Sequence, residues 1–327
     1  MNRRRFLAVG GAAAVASAAR PARSEEPYPS RPVHVVIPYA AGGGLDMVTR
    51  IVLEALAARL GQPFLAENRT GASGMVGAAT VAKAKPDGYT LLATVADTQV
   101  NNAVLFKQLP YDPLNDFVPV TQMAYGLPIM VTNADLPTGT LAEFVAHAKA
   151  NRGKVSYGSW GMGGLGHLMT EAFNQAAGLD MTHIPYRGEI LMLQDLLNRS
   201  VTLGMCSMVI ASQHVQSGSL RAIAVSGPRR FHALSDTATF AEQGFDHPVF
   251  AVRAWSALLA PAKTPAAIVD LLQREVRVVV HQPAVRADLA SRGFESAGNT
   301  PEEFAAALKR DYQVITGLIR KIGITPQ

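Results

Sequence analysis

Cysteine is nearly absent from this chain of 327 residues, since Cys206 is the only one. A single cysteine cannot form an intrachain disulfide, so the fold must be stable without one. Cys206 lies in an apolar run over 201–208, where a buried small hydrophobic side chain is favoured over a reactive thiol. The sequence therefore gives no sign of a disulfide scaffold or of cysteine chemistry.

Charged residues are also sparse, at 17% against 48% hydrophobic residues, which is typical of a globular protein and excludes a disordered chain. The formal net charge is +5, but the arginines at positions 3–5 supply three of these charges and leave +2 for the rest of the chain. No block of lysine or arginine follows them. We therefore expect no nucleic-acid partner.

Several catalytic and metal-binding motifs are missing. Ser159 stands in Gly-Ser-Trp-Gly, which is not the G-x-S-x-G nucleophile motif, and the glycine run at 41–46 lacks the G-K-[ST] ending of a P-loop. His167 and Glu171 are one helical turn apart, but no H-E-x-x-H or cysteine pair accompanies them, and a zinc site needs at least three protein ligands. We expect no enzyme activity, no metal and no cofactor.

The first 26 residues have the features of an export signal and a short remnant of its leader. Arg3, Arg4 and Arg5 precede a run of small apolar residues over 8–19, and Ala16-Ser17-Ala18 matches a cleavage pattern, which predicts cleavage near Ala18. Arg-Arg-x-Phe-Leu also fits the twin-arginine pattern, although an ordinary secretory leader remains the alternative. The apolar run is too short to span a bilayer, which needs about 20 residues. We therefore expect a periplasmic protein.

After the leader, short apolar runs alternate with the periodicity of amphipathic helices. The runs at 33–38, 64–67 and 90–95 predict strands with helices between them, which is typical of a parallel sheet with helices on both faces. The alternation resumes over 141–225, whereas the pattern from 265 onward is purely helical. Because a block of helices must pack on an earlier sheet, we predict an α/β fold of two lobes. The first lobe spans 27–125 plus 250–327, and the second spans 126–249.

Two glycine-rich junctions, at 37–46 and 158–167, each connect a predicted strand to a predicted helix. Backbone N–H groups at a helix start attract anions, and ligands of open α/β sheets bind beyond the carboxyl ends of the strands. Both junctions should therefore face the cleft between the lobes and hold an anion there. At the first junction, Asp46 could cap its helix or support the cleft from behind.

The second junction reads GMGGLG over 161–166, which matches the G-x-G-x-x-G pattern of dinucleotide sites. The acidic residue that should follow the next strand is missing, because Asp180 precedes that strand. A carboxylate-binding loop is therefore favoured. A plain helix-entry loop and an exported nucleotide-dependent oxidoreductase remain the alternatives. For His167, at the start of the following helix, structural packing is favoured over contact with the ligand.

Longer motifs resemble one family along almost the whole chain after the leader. The first half contains YPSRPV at 28–33, PYAAGG at 38–43, ENRTGASG at 67–74 and PDGYTL at 86–91. The second half contains YGSWGMG at 157–163, HIPYRG at 183–188, LRAIAV at 220–225, LAPAKTP at 259–265, PAVR at 283–286 and TPEEF at 300–304. In these motifs the chain resembles the Bug (TctC-type) extracytoplasmic solute-binding receptors of tripartite tricarboxylate transporters.

The resemblance implies a type II periplasmic-binding-protein fold that closes over a small organic acid. It also implies membrane transporter subunits as partners, although a receptor for a signalling partner would use the same binding chemistry. We expect a monomer. The binding loops correspond to 39–44 and 161–164, and a loop over 94–98 adds side chains. The residues expected at the site are Tyr39, Ala41, Gly42, Gly43, Gly44, Thr94, Asp97, Thr98, Ser159, Gly161, Gly163, Gly164, His167 and Ser207.

Three departures from the family pattern bear on the ligand. Gly164 replaces a usual serine, Asp97-Thr98 stands where a Ser/Thr-His pair is usual, and Ser207 stands where Asp is common. Neither loop contains an arginine, so we expect backbone N–H groups of 43–44 and 163–164 to hold the ligand carboxylate. An ammonium group needs a buried carboxylate partner, for which Asp97 is the one candidate placed near the cleft. We therefore expect a ligand without a positive charge, whose apolar or aromatic body rests near Trp160 or Met162.

Overall fold

The computed structural model of the protein describes residues 27–186, 188–231 and 234–322. The expected export signal and its cleavage point near Ala18 lie outside these ranges. Within them, no helix combines the length and the apolar character that a bilayer-spanning segment needs. Cys206 is a buried free thiol, in agreement with the apolar run around it.

Strands and helices alternate through most of the described chain. The strands are β1 (Val33–Ile37), β2 (Phe64–Asn68), β3 (Thr90–Val95), β4 (Phe117–Gly126), β5 (Pro128–Asn133), β6 (Ser156–Ser159), β7 (Thr182–Pro185), β8 (Leu203–Ser207), β9 (Leu220–Val225), β10 (Ala254–Pro261) and β11 (Phe294–Ser296). The helices are α1 (Gly44–Leu60), α2 (Met75–Ala82), α3 (Asn102–Leu105), α4 (Leu141–Ala150), α5 (Leu165–Ala176), α6 (Glu189–Leu197), α7 (Met208–Gln216), α8 (Ala266–His281), α9 (Pro283–Ser291) and α10 (Pro301–Ile322). A π-helical segment, Asp97–Asn101, leads directly into α3.

The first lobe is built on a six-stranded sheet in the order β11-β4-β10-β3-β1-β2. β1 pairs in parallel with β2 and β3, whereas β10 runs antiparallel to β3 and β4. The periodicity of α1 buries Val48, Val52 and Leu56 completely in a cluster with the strands of this sheet. The carboxyl ends of β1 and β3 therefore lie at one edge, where the first glycine-rich junction begins.

The second lobe is built on a five-stranded sheet in the order β7-β6-β8-β5-β9. β6 pairs in parallel with β7 and β8, and β5 runs antiparallel to β8 and β9. The chain passes from one sheet to the other between β4 and β5, at Leu127, and returns between β9 and β10. The predicted α/β fold of two lobes is confirmed.

The region after residue 265 is not purely helical, and that prediction was wrong. Phe294–Ser296 forms β11, which pairs antiparallel with β4 at the edge of the first sheet. A strand of three residues is too short to show an alternating pattern in the sequence. Its position is set by long-range contacts, since the Phe294 ring lies against Gly44 at the start of α1.

The C-terminal helix α10 packs on both lobes, on β4 of the first and on α5 of the second. Phe304, near its start, is completely buried and meets the Trp255 ring edge-on at a centroid distance of 5.3 Å. The indole N–H of Trp255 donates a hydrogen bond of 2.8 Å to the Asp311 carboxylate, two turns further along the helix. Apolar contact and a charge-assisted hydrogen bond thus fix α10 against β10.

Phe304→Ala should lower the free energy of unfolding by about 3–5 kcal/mol, because it leaves a cavity between α10 and β10. Val278→Ala is the matched control, since Val278 is 40% exposed on α8 and its truncation leaves no cavity. Urea unfolding, followed by circular dichroism, measures both. Equal shifts for the two variants would show that α10 does not depend on this contact.

Candidate functional site

Asp46 organises the first glycine-rich junction, between β1 and α1. Its carboxylate, which is 4% exposed, accepts hydrogen bonds from the Gly42 N–H at 3.0 Å, the Asn68 amide at 2.9 Å and the Arg50 guanidinium at 3.0 Å. Burial acts to raise the pKa of Asp46, but the hydrogen bonds from Arg50, Gly42 and Asn68 outweigh it and lower the pKa. Asp46 is therefore an ionised group that ties the loop to β2 and α1 from behind.

The start of α1 leaves backbone donors open. Gly43 is its N-cap residue and has no side chain that could accept from the first turn. Among the described residues, the N–H groups of Gly43 and Gly44 have no hydrogen-bond acceptor. Ala41 and Gly42 beside them are exposed. A Cβ added at Gly43 would meet only the Ala40 carbonyl oxygen, at 3.7 Å, so this backbone faces open space.

The segment after β3 is helical, and the prediction of a loop over 94–98 was wrong. Thr94 is completely buried within β3, and Thr98 lies in the π-helical segment, where its hydroxyl is 2.8 Å from that of Tyr39. The Asn102 amide donates to the Ser73 carbonyl at 2.9 Å, which holds the following turn against the first lobe. Burial raises the pKa of Tyr39, so its hydroxyl is neutral. Tyr39 and Thr98, both expected at the site, thus lie in contact, whereas Thr94 is buried within β3.

In the second glycine-rich junction, between β6 and α5, the loop satisfies its own donors. The Gly163 N–H donates to Nδ1 of His167 at 2.9 Å, and the Gly164 N–H donates to the Gly161 carbonyl at 3.3 Å. The Ser159 hydroxyl donates to the same carbonyl at 3.0 Å and lies 2.7 Å from Nε2 of His183. In this conformation, the N–H groups of 163 and 164 are engaged within the loop rather than open.

Two neutral histidines support this loop. The rings of His167 and His183 stack at a centroid distance of 3.8 Å, and Tyr157 stacks on His183 at 4.9 Å. Burial lowers the pKa of both histidines to about 4, so both are uncharged at neutral pH. Because Nδ1 of His167 accepts from Gly163, its proton sits on Nε2. His167 is therefore packed against His183 and accepts a hydrogen bond at the helix start, which is the role favoured for it from the sequence.

Glu171 does not form a metal site with His167. Its carboxylate accepts from the Tyr157 hydroxyl at 3.0 Å and from the Asn174 amide at 3.1 Å. Across the described ranges of the chain, no group of three or more histidine, cysteine or acidic side chains could hold a metal ion.

Asp97 lies between the two junctions. Its carboxylate comes from the first lobe and accepts from the Leu165 N–H at 3.3 Å and the Trp160 indole N–H at 3.4 Å, both in the second lobe. Asn101, at the end of the π-helical segment, and Leu105, at the end of α3, both contact Gly163. The Asn101 amide donates to the Gly163 carbonyl at 3.0 Å, and the Leu105 side chain fills the space beside the Gly163 Cα. No motif marked Asn101 or Leu105 in the sequence, because their role depends on the lobes meeting.

Ser207 is joined to an acidic residue that the sequence patterns did not reveal. The Glu189 carboxylate, at the start of α6, accepts from both the N–H and the hydroxyl of Ser207, the latter at 2.9 Å. Burial raises the pKa of Glu189 to about 7. Asp97 is therefore not the one carboxylate near these strand ends. An acidic residue directly after Gly188, at the start of a helix that faces β8, was the available sequence signal.

The G-x-G-x-x-G match does not form an open dinucleotide loop. The positive φ of Gly163, 71°, and the close approach of Leu105 show why glycine is needed there, since a Cβ would lie 2.1 Å from Cδ1 of Leu105. A leucine side chain thus occupies the place where a pyrophosphate would approach the backbone in such a site.

Comparison with known proteins agrees with this geometry. A family model described as a tripartite tricarboxylate transporter family receptor, TctC, matches residues 48–324. Protein BugT of Bordetella pertussis is 33% identical over 325 residues, which cover 99% of each chain.

Two solved structures show the same architecture. A Rhodopseudomonas palustris protein solved with adipate is 29% identical, with a TM-score of 0.86 over 92% of this chain and 100% of the other. MatC from Rhodopseudomonas palustris, solved with bound malate, is 29% identical, with a TM-score of 0.80 over 89% of this chain and 100% of the other. Both ligands are small organic acids. Together with the family model and the full-length relative, they establish that the chain belongs to the TctC family of tripartite tricarboxylate transporter receptors.

Proposed function

We propose that this protein is a periplasmic receptor that captures a small organic carboxylate and presents it to a membrane transporter of the tripartite tricarboxylate type. The observation that carries the proposal is the start of α1, where the N–H groups of Gly43 and Gly44 have no acceptor among the described residues. A helix start with open donors favours an anion. Adipate and malate in the two solved relatives support a carboxylate as that anion.

The proposed contacts are sufficient for tight binding without an arginine in the loop. Hydrogen bonds to a charged group contribute about 1.5–3 kcal/mol each. A few such bonds, together with burial of the ligand body, reach the roughly −8 kcal/mol of a micromolar complex. Met162, which is 48% exposed at the tip of the second junction, offers an apolar surface to the rest of the ligand.

Export and delivery complete the proposal. The leader over 1–26 would take the protein to the periplasm by the twin-arginine or the general secretory route, with cleavage near Ala18. An exported nucleotide-dependent oxidoreductase is disfavoured by Leu105 against Gly163 and because β7 does not end in an acidic residue. We propose a monomer that acts by binding and contains no cofactor.

Small organic acids without an ammonium group should raise the melting temperature of the purified mature protein. Ligand at about 100 times its dissociation constant adds about 2.7 kcal/mol to the free energy of unfolding. A thermal-shift screen of amino acids, aromatic acids, and mono-, di- and tricarboxylates measures this, with uncharged amides of the same acids as controls. If only aspartate or glutamate acts, the ligand carries an ammonium group, and Asp97 and Glu189 become its candidate partners.

Gly43→Val should abolish binding of the acid found in that screen, because the branched side chain would stand in front of the open N–H groups of α1. The φ of −77° at Gly43 and the free space around its Cα allow valine without backbone strain. Gly317→Val is the matched control, since Gly317 is exposed on α10 and an added Cβ there meets nothing within 4 Å. Calorimetric titration measures the affinity of both variants for the acid. An unchanged affinity of Gly43→Val would show that this loop does not bind the ligand.

A further inference from the structure

Asp97 brings a carboxylate of the first lobe to the start of α5 in the second. Oδ1 accepts from the Leu165 N–H at 3.3 Å and from the Asn101 amide at 2.8 Å, and Oδ2 accepts from the Trp160 indole at 3.4 Å. A Cβ at Gly164 would lie 3.3 Å from Oδ2. The carboxylate thus lies directly against the second glycine-rich junction.

The partners of Asp97 are all hydrogen-bond donors, and no cation pairs with it among the described residues. Three donors and the positive end of the α5 dipole are what an ionised carboxylate requires. Burial nevertheless raises the pKa of Asp97, which shows how few charges compensate it there. A bound organic acid would have the same surroundings, but here the carboxylate is the side chain of Asp97.

The same segment holds the junction closed around this carboxylate. The Asn101 amide donates to Asp97 and to the Gly163 carbonyl, and Leu105 fills the space beside Gly163. The N–H groups of 163 and 164 point to acceptors within their own loop. The loop over 161–164 therefore offers few open donors to a second anionic group.

We propose that Asp97 determines the specificity of the receptor, because its carboxylate takes the position at the start of α5 that a ligand carboxylate could otherwise take. The ligand then carries one carboxylate, which binds at the start of α1, and its other end is uncharged. This inference rests on the proposed function of the site. It sets this chain apart from its relatives solved with adipate and malate, which are dicarboxylates.

A second ligand carboxylate has two routes to the start of α5, and both are unfavourable. It could lie beside Asp97, where two like charges a few ångströms apart repel each other strongly in a partly buried site. It could also displace Asp97, which would separate that carboxylate from its three donors. A monocarboxylate with an apolar end avoids both costs.

The test compares acids that have the same carbon skeleton and differ in one carboxylate: butyrate with succinate, hexanoate with adipate, and benzoate with terephthalate. In at least one pair, the mature wild-type protein should bind the monocarboxylate more tightly than the dicarboxylate, by about tenfold or more. In no pair should it bind the dicarboxylate more tightly. Asp97→Asn keeps the size and the acceptor oxygen but removes the charge. It should reduce this preference by about tenfold or reverse it. Calorimetric titration measures each affinity.

Asp180→Asn is the control, since it removes one negative charge from an exposed ion pair with Arg152 and should leave the preference unchanged. A wild-type protein that prefers a dicarboxylate overturns the inference without any variant and leaves the proposed function standing. An Asp97→Asn protein with the wild-type preference overturns it as well. If none of the six acids binds and the wider acid screen is also negative, the proposed function fails together with the inference.

Discussion

Backbone N–H groups at the start of a helix need an acceptor, and the two lobes meet this need differently. At α5, side chains of both lobes supply the acceptors: Asp97 of the first lobe receives the Leu165 N–H, and His167 receives the N–H of Gly163 in the preceding loop. Of the backbone N–H groups at the start of α1, that of Gly42 donates to Asp46, and those of Gly43 and Gly44 have no acceptor among the described residues. The asymmetry follows from side-chain chemistry, because both helices begin in the same way, with a glycine N-cap after a glycine of positive φ. The junction before α5 thus finds its acceptors within the protein, while the N–H groups of Gly43 and Gly44 stay open to an acceptor from outside.

The electrostatics of the second junction depend on groups that remain uncharged. Nδ1 of His167 can accept from Gly163 only while the ring is neutral, and burial keeps it so by lowering its pKa to about 4. A protonated ring would place an N–H opposite another N–H and a positive charge against His183. Glu189 is affected in the opposite sense, since burial favours its neutral form and raises its pKa to about 7. The loop is held by neutral hydrogen bonds, whereas the Asp97 carboxylate accepts hydrogen bonds from the second lobe.

The sequence predicted what depends on local periodicity and failed where contacts between distant segments decide the structure. The strands around Val33–Ile37, Phe64–Asn68 and Thr90–Val95 follow from apolar runs, and the two junctions follow from their glycines. β11 was missed because three residues carry no periodic pattern, and its pairing with β4 spans the length of the second lobe. The π-helical turn at Asp97 was taken for a loop, since its stability comes from contacts of Asn101 and Asn102 with Gly163 and Ser73. Glu189 was missed for the same reason, because only the folded chain brings it to Ser207.

Helix α10 limits how the lobes can separate. It packs on β4 in one lobe and on α5 in the other, so the lobes are joined by a rigid element as well as by the two strand crossings. A free rotation about the crossings would pull α5 away from α10 and expose apolar surface to water. Opening therefore requires α5 to slide along α10, a shear of packed helices rather than a swing about a hinge. Because packed side chains interdigitate, such sliding has a small amplitude, so the lobes separate by less than a free hinge would allow.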